Sequence, residues 1–212
     1  MNFDLTLYLV TDSSYHTEEQ FLKTVREACA GGVTLVQLRE KSRNGRDYLA
    51  LAQKVKAITD YFGIPLIIDD RVDIAMAVDA AGVHVGAGDI PVQYARKLLG
   101  KEKIVGATAK TVEQAEKAYA EGADYLGEGA MYPTTTKVVT VLTKPEMIGK
   151  IKAAVPLPVV AIGGLNQENL DILDGQPIDG IAVVTALMKA EAPRLAAQEL
   201  KQKVLALKEK KQ

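Results

Sequence analysis

The chain holds a single cysteine, no long apolar run and no excess of charge of either sign. Each shortage excludes something. Cys29 has no second thiol to pair with, and between Ala28 and Ala30 in a helical pattern it reads as a small core residue. No apolar stretch approaches the roughly 20 residues that cross a bilayer, so a membrane-spanning protein is not expected. The opening MNFDLTLYLVTD has no basic segment ahead of a long apolar one, and no signal peptide is expected. A reducing cytoplasm fits these features. Lys and Arg number 26 against 27 Asp and Glu, a formal net charge of -1, so no global basic field recruits nucleic acid or an anionic membrane. No Gly-x-Gly-x-x-Gly follows the first strand-like run, which argues against a dinucleotide fold. No Ser-His-Asp set and no activated cysteine stand out as a nucleophilic catalyst.

What is present is alternation. The 212 residues are 48% hydrophobic and 25% charged, enough to bury a sizeable core. Short runs rich in Val, Ile and Leu occur at 7–11, 33–38, 65–68, 82–85, 103–107, 123–129, 158–164 and 179–187. Helical patterns follow them at 18–30, 45–62, 71–80, 91–99, 111–122, 144–155, 166–174 and 192–212. In the first of these, Phe21, Leu22, Val25 and Ala28 recur at helical spacing. Pro91 suits a first helical position and Thr111 a cap. No linker or low-complexity segment interrupts the series. Short strands separated by helices demand parallel pairing with right-handed crossovers. Eight such units closing on themselves give a (β/α)8 TIM barrel, one domain over residues 1–212, at the short end for that fold. A doubly wound open sheet is the alternative. The terminal KEKKQ reads as a solvated helix end whose cations favour the helix dipole.

A barrel of this kind carries its active site on the loops at the C-terminal ends of its strands. Polar residues there can therefore be gathered into one candidate site. After the second strand, period-two alternation puts Gln37, Arg39 and Lys41 on one side and Leu38 and Glu40 on the other. An amide with two cations suits a polyanionic or heteroaromatic substrate. The third strand ends in the adjacent carboxylates Asp69 and Asp70, with Arg71 and Asp73 behind, and the loop after the fourth supplies Asp89. Carboxylates from neighbouring strand ends can share a divalent cation such as Mg²⁺, with phosphate oxygens and waters completing it. The plainer reading of Asp70 or Asp73 is a cap on the third helix. After the fifth strand come Thr108, Lys110 and Thr111; after the sixth, a long donor-rich loop with Thr134, Thr135, Thr136 and Lys137. Its glycine-free stretch MYPTTTKVVTVLT shows no hinge. Gly163 and Gly164 after the seventh strand and Thr185 after the eighth occupy the usual phosphate-binding loops of this fold. His84, inside the fourth strand, reads as an oriented structural residue rather than a base.

The stretches YLVTD, VQLREK, IIDDRVDIA, GVHVG with its following Asp, YPTTTK, VVAIGG and GIAVVTAL together resemble the successive strand-end motifs of thiamine phosphate synthase, in that family's order over about residues 7–190. The resemblance implies a transferase that joins a hydroxymethylpyrimidine diphosphate to a thiazole phosphate and releases pyrophosphate, with Mg²⁺. It implies that Gln37, Arg39 and Lys41 contact the pyrimidine diphosphate, that Asp70 and Asp89 hold Mg²⁺, and that Lys137 meets the diphosphate. Thr134 and Thr136 then match hydroxyls on the thiazole phosphate, and Gly164, Val184 and Thr185 the rest of that phosphate pocket. Thr135 lies between them in the same loop. The partners implied are the two small-molecule substrates, with no nucleic acid or membrane and with room for a homo-oligomer. The chain departs from the family pattern in five places. It has Asp69 where Asn is common, Ala87 for Gln, Thr108 for Ser, Lys110 for His and Thr185 for Ser. Asp69 adds charge beside a polyanion, which bears on substrate preference rather than on fold.

Two other readings fit the scaffold. A thiazole tautomerase would isomerise without a diphosphate step, and would need neither both Asp70 and Asp89 nor the TTTK loop. A non-catalytic phosphate-ligand binder would bind in the presence of Mg²⁺ without turnover.

Overall fold

The computed structural model describes residues 3–134 and 142–210. Eight short parallel strands close on themselves in chain order: β1 (Leu7–Val10), β2 (Leu35–Leu38), β3 (Leu66–Asp69), β4 (Gly82–Val85), β5 (Ile104–Thr108), β6 (Tyr125–Gly129), β7 (Val159–Ile162) and β8 (Gly180–Val183). β8 pairs with β1 to seal the barrel, so no strand is left with an open edge. The open-sheet alternative is thereby excluded.

Both faces of each strand are buried, which is why the runs read as continuously apolar rather than alternating. Leu7, Val36, Ile68, Val105, Leu126 and Ile181 face the helices, in the larger apolar cluster. Tyr8, Val10, Leu35, Ile67, Ile104, Tyr125, Val160 and Ala182 fill the barrel interior. The two clusters alternate residue by residue, so the strand-end residues in phase with the interior set point into the barrel mouth. Asp69, two residues beyond Ile67, is one of these and is buried.

The outer layer is α1 (Glu18–Ala30), α2 (Gly45–Phe62), α3 (Val72–Ala77), α4 (Val92–Leu99), α5 (Val112–Ala120), α6 (Glu146–Ala154), α7 (Thr185–Met188) and α8 (Pro193–Glu209). α1 starts at a reciprocal capping box between Thr17 and Gln20, and Thr111 caps α5 as its sequence suggests. Cys29 is buried on the barrel side of α1, and burial pushes its thiol up to about 12.

Several expected boundaries move. The seventh helical pattern, 166–174, forms only a 3-10 turn over Leu170–Leu173. The apolar run 179–187 divides, its strand ending at Val183 and its last residues turning into the four-residue α7. Periodicity alone does not separate a buried strand from a short helix of the same composition. Pro91 takes the position before α4 rather than its first turn. Neither Asp70 nor Asp73 caps α3, because Arg71 holds the cap position and makes no side-chain capping bond. The terminal segment is only partly solvated, since Lys208 reaches beneath the barrel to the Asp179 carbonyl at 2.9 Å and Thr6 Oγ1 at 3.2 Å.

Candidate active site

The C-terminal ends of the strands surround one cavity. Its wall takes Gln37, Arg39 and Lys41 from the end of β2, Asp69 and Asp70 from β3, His84 and Asp89 from β4 and the loop after it, and Thr108 and Lys110 from β5. Thr134, Gly163, Gly164, Val184 and Thr185 complete it from the β6, β7 and β8 ends. The residues given substrate or metal roles from the sequence are therefore neighbours, except Thr135, Thr136 and Lys137, which lie outside the described residues. Arg71, Asp73 and Thr111 are not in the cavity wall, Thr111 capping α5 and Arg71 pairing with Asp73.

The β2–β3 side carries the charge. Lys41 Nζ stands 2.9 Å from Asp69 Oδ2 and also pairs with Asp70 Oδ2. Arg39 Nε is 3.9 Å from the same Asp69 oxygen, and its Nη1 is 3.8 Å from Asp12. Burial alone would lower the Lys41 pKa, but the two aspartates outweigh it and hold the ammonium above its ordinary value. Burial pushes Asp69 up, and Lys41 and Arg39 pull it back only in part. Asp69 Oδ2 is enclosed, and both Lys41 and Arg39 pair with it.

Asp70 is held differently. It adopts φ 60°, in the left-handed region, while the Arg71 N–H bonds back to the Asp69 carbonyl at 2.7 Å. Asp tolerates this conformation better than most residues, and such strain persists where surrounding structure holds it. The turn brings Asp70 beside Asp89. Burial raises Asp89 first and the Asp70 carboxylate raises it further, while the Gly86 N–H, donating to Asp89 Oδ2 at 2.8 Å, opposes both. A carboxylate raised by its neighbour in this way fits a cation between the two. Among the described residues no three acidic, His or Cys side chains form a metal cluster. A pair is nonetheless a sufficient donor set for an ion such as Mg²⁺, which takes one or two carboxylates and leaves places for phosphate oxygens and water.

The β7–β8 side offers backbone instead. Gly163 and Gly164 have φ of 105° and 67°, and a Cβ on them would lie 2.4 Å from Ala130 Cβ and 2.7 Å from Tyr132 Cβ. The glycine pair thus serves the close approach of the β6 loop as well as exposing main-chain groups to the cavity. Beneath the mouth, Gln37, Tyr8, Tyr125, His84 and Thr108 form a connected polar set in the barrel interior. His84 is held at both ring nitrogens, as expected of an oriented residue, and it also lines the cavity.

The thiamine monophosphate synthase family model matches residues 7–187. The chain belongs to this family. It is 54% identical over 187 residues to thiamine-phosphate synthase 2 of Streptococcus pneumoniae, covering 88% of this chain and 89% of that one. It is 48% identical over 199 residues to the thiamine-phosphate synthase of Methanobrevibacter smithii, covering 94% and 95%. The solved thiamine phosphate pyrophosphorylase of Pyrococcus furiosus superposes with a TM-score of 0.84 at 38% identity, covering 96% of each chain. Identity at this level over nearly the whole length makes the chain an enzyme of the thiamine-phosphate synthase group, a transferase. Of its five departures from the family pattern, Asp69, Thr108, Lys110 and Thr185 all line the cavity, whereas Ala87 lies outside it, on the outer side of the β4 and β5 ends.

The sequence did not point to Asp12, which pairs with Arg39 of this thiamine-phosphate synthase cavity, or to Tyr8 and Tyr125, which lie beneath it. The alternation in LYLV places Tyr8 inward, and a large polar ring at an inward position was a usable signal. Asp12 gave none, since only the closing of β1 against β2 sets it near Arg39. Glu128 is a different case. It faces the helices from β6, away from the cavity, fully enclosed and without a well-formed hydrogen bond to either oxygen among the described residues, and burial pushes it up to about 7. Thr143 stands nearby, but its hydroxyl reaches the Ala130 carbonyl at 3.5 Å.

Proposed function

We propose that this enzyme couples 4-amino-2-methyl-5-hydroxymethylpyrimidine diphosphate with 4-methyl-5-hydroxyethylthiazole phosphate, giving thiamine phosphate and pyrophosphate with Mg²⁺. The observation that carries this reading is the meeting of Arg39, Lys41 and the Asp70–Asp89 pair on one side of a single cavity whose other side is glycine-rich backbone. A diphosphate fits the charged side and a phosphate ester the backbone side.

In this reaction the bond between the pyrimidine methylene carbon and the diphosphate oxygen breaks, and its electron pair leaves with pyrophosphate. The thiazole nitrogen then supplies the pair for the new carbon–nitrogen bond. The amino-pyrimidine ring spreads the positive charge that develops between the two events. Asp70 and Asp89 would hold Mg²⁺, which would supply charge neutralisation for the leaving group. Arg39 and Lys41 do the same from the protein, Lys41 exchanging its aspartate partners for diphosphate oxygens. Lys137 joins them from the loop after β6. Gln37 and Thr108 hold the pyrimidine, and Thr134, Thr135, Thr136, Gly164, Val184 and Thr185 hold the thiazole phosphate. No nucleophile or general base is required of the protein, whose part is position and electrostatics.

The tautomerase and binding-protein readings gain no support from any contact. A cytoplasmic location fits a chain in which no described helix is long and apolar enough to cross a membrane. The test is a coupled assay with both substrates and Mg²⁺, reading pyrophosphate and thiamine phosphate together. Equal release of the two products is expected. Isomerisation of a thiazole substrate without coupling, or tight binding without turnover, would overturn the reading.

A further inference from the structure

Five polar side chains cross the barrel interior in one unbroken hydrogen-bond series. Gln37 Nε2 donates to Tyr8 Oη at 2.7 Å, Tyr8 Oη meets Tyr125 Oη at 2.8 Å, and Tyr125 Oη meets His84 Nδ1 at 3.0 Å. His84 Nε2 meets Thr108 Oγ1 at 3.1 Å. The residues come from β2, β1, β6, β4 and β5, so the series bridges walls of the barrel that do not touch. Its middle is dry, with Tyr8 and Tyr125 at most 1% exposed, and its ends, Gln37 and Thr108, line the cavity.

The barrel makes room for it. A Cβ on Gly106 would lie 2.1 Å from Tyr125 Cζ, so β5 carries glycine where the tyrosine ring crosses. A Cβ on Gly127 would come within 3.4 Å of His84 Cε1. Tyr8 and Tyr125 pack edge to face with centroids 5.9 Å apart, which fixes the hydroxyls against each other. Burial holds both phenols well above their ordinary pKa, so each keeps its one proton.

One proton per hydroxyl gives the series a direction. Tyr8 accepts from Gln37 and so donates to Tyr125. Tyr125 accepts there and donates to His84 Nδ1. His84 then carries its proton on Nε2 and donates to Thr108 Oγ1. Thr108, having accepted, has its own proton left for the cavity, and Gln37 has its amide oxygen left at the other end. Reversing any one bond requires reversing all of them, because a buried hydroxyl facing a second donor loses a hydrogen bond it cannot recover from water.

We propose that Tyr8 and Tyr125 are positioning residues that lock a single hydrogen-bond polarity from Gln37 to Thr108, presenting an acceptor on one wall and a donor on the other to the aminopyrimidine. An exocyclic amine meets the Gln37 oxygen, and a ring nitrogen or diphosphate oxygen meets the Thr108 hydroxyl. The ligand side of this inference rests on the substrate pair proposed above, while the hydrogen-bond series stands without it.

Tyr8→Phe and Tyr125→Phe each delete one hydroxyl and keep the ring. In the coupling assay each lowers kcat/KM for the pyrimidine diphosphate about tenfold and leaves the KM for thiazole phosphate within twofold. The double variant is no worse than the poorer single one, because the series is broken once in either case. The ¹⁵N shifts of His84 supply a readout free of substrate: an unprotonated Nδ1 and a protonated Nε2 in the wild type, and mixed tautomers in Tyr125→Phe. Losses that multiply in the double variant, pyrimidine kinetics unchanged in both single variants, or His84 signals unmoved in Tyr125→Phe would each overturn the proposal. A wild-type protein that forms no thiamine phosphate would refute the substrate assignment instead, and the ¹⁵N shifts would still decide the series.

Discussion

The two ends of this barrel use aspartate in opposite ways. At the N-terminal end, just ahead of β6 and β8, Asp124 and Asp179 are fully engaged. Asp124 Oδ2 accepts from the Val105 N–H at 2.7 Å and pairs with Arg96 of α4. Asp179 Oδ2 accepts from the Val159 N–H at 2.7 Å and pairs with Lys152 of α6 at 2.7 Å. Each ties a strand start to the preceding strand and a helix to the barrel. At the C-terminal end, Asp69, Asp70 and Asp89 crowd one another, and the pKa values of Asp69 and Asp89 are raised. The first arrangement lowers the energy of the fold. The second stores charge in a form that a cation and a diphosphate can relieve, which is the division of labour expected between the two faces of this fold.

The sharpest way to break the comparison is to neutralise one aspartate at each end. Asp70→Asn is expected to cut Mg²⁺-dependent turnover by about a hundredfold or more while leaving the thermal midpoint within about 2 °C; near-normal turnover would remove Asp70 from the metal pair. Asp179→Ala is expected to do the converse. It leaves a strand N–H and Lys152 without a partner and costs about 2 kcal/mol in urea unfolding, with kcat within twofold of wild type. A stability change below about 0.5 kcal/mol would show that the lower end is held some other way.

Glu128 tests whether burial alone, without function, produces a raised carboxylate. Its pKa in the fold, about 7, lies above its ordinary 4.5, so the folded state binds the proton more tightly. Its stabilising contribution is complete below about pH 4.5 and is lost as pH rises through about 7, by on the order of 3 kcal/mol at most. Glu128→Gln is expected to flatten that part of the stability–pH curve, and an unchanged slope between pH 5 and 7 in the variant, measured by urea titration, would contradict it. The smallest expected effect belongs to Asp69→Asn. Removing a charge beside the diphosphate is expected to lower its KM by about threefold, set against the lost pairing with Lys41 and Arg39. A KM that rises would mean the ion pairs matter more than the repulsion.

Much of the fold was legible because the barrel repeats one pattern. Apolar strand runs followed by 3.6-residue periodicity survive small errors of boundary, and the eight strands lie where those runs do. The segment after β7 was not legible as a 3-10 turn, since NQENLDILD carries helical spacing, and only the room between neighbouring elements decides how far it winds. In the site, Gln37, Arg39 and Lys41 were legible from period two, and their convergence with Asp70 and Asp89 followed from barrel topology. The left-handed turn at Asp70 was not, because nothing in LIIDD distinguishes it from a helix cap.

By itself, then, the sequence determined the repeating units, their burial on both faces, and which residues stand at strand ends, since each follows from local spacing. Strand pairing and closure decided the rest. Closure put Tyr8 opposite Tyr125 across 117 residues of chain, while the β1–β2 and β3–β4 pairings brought Asp12 to Arg39 and Asp89 beside Asp70. Those contacts depend on the register between strands and on the turn each strand end takes. Such quantities are set by packing the whole barrel at once, and no local stretch contains them.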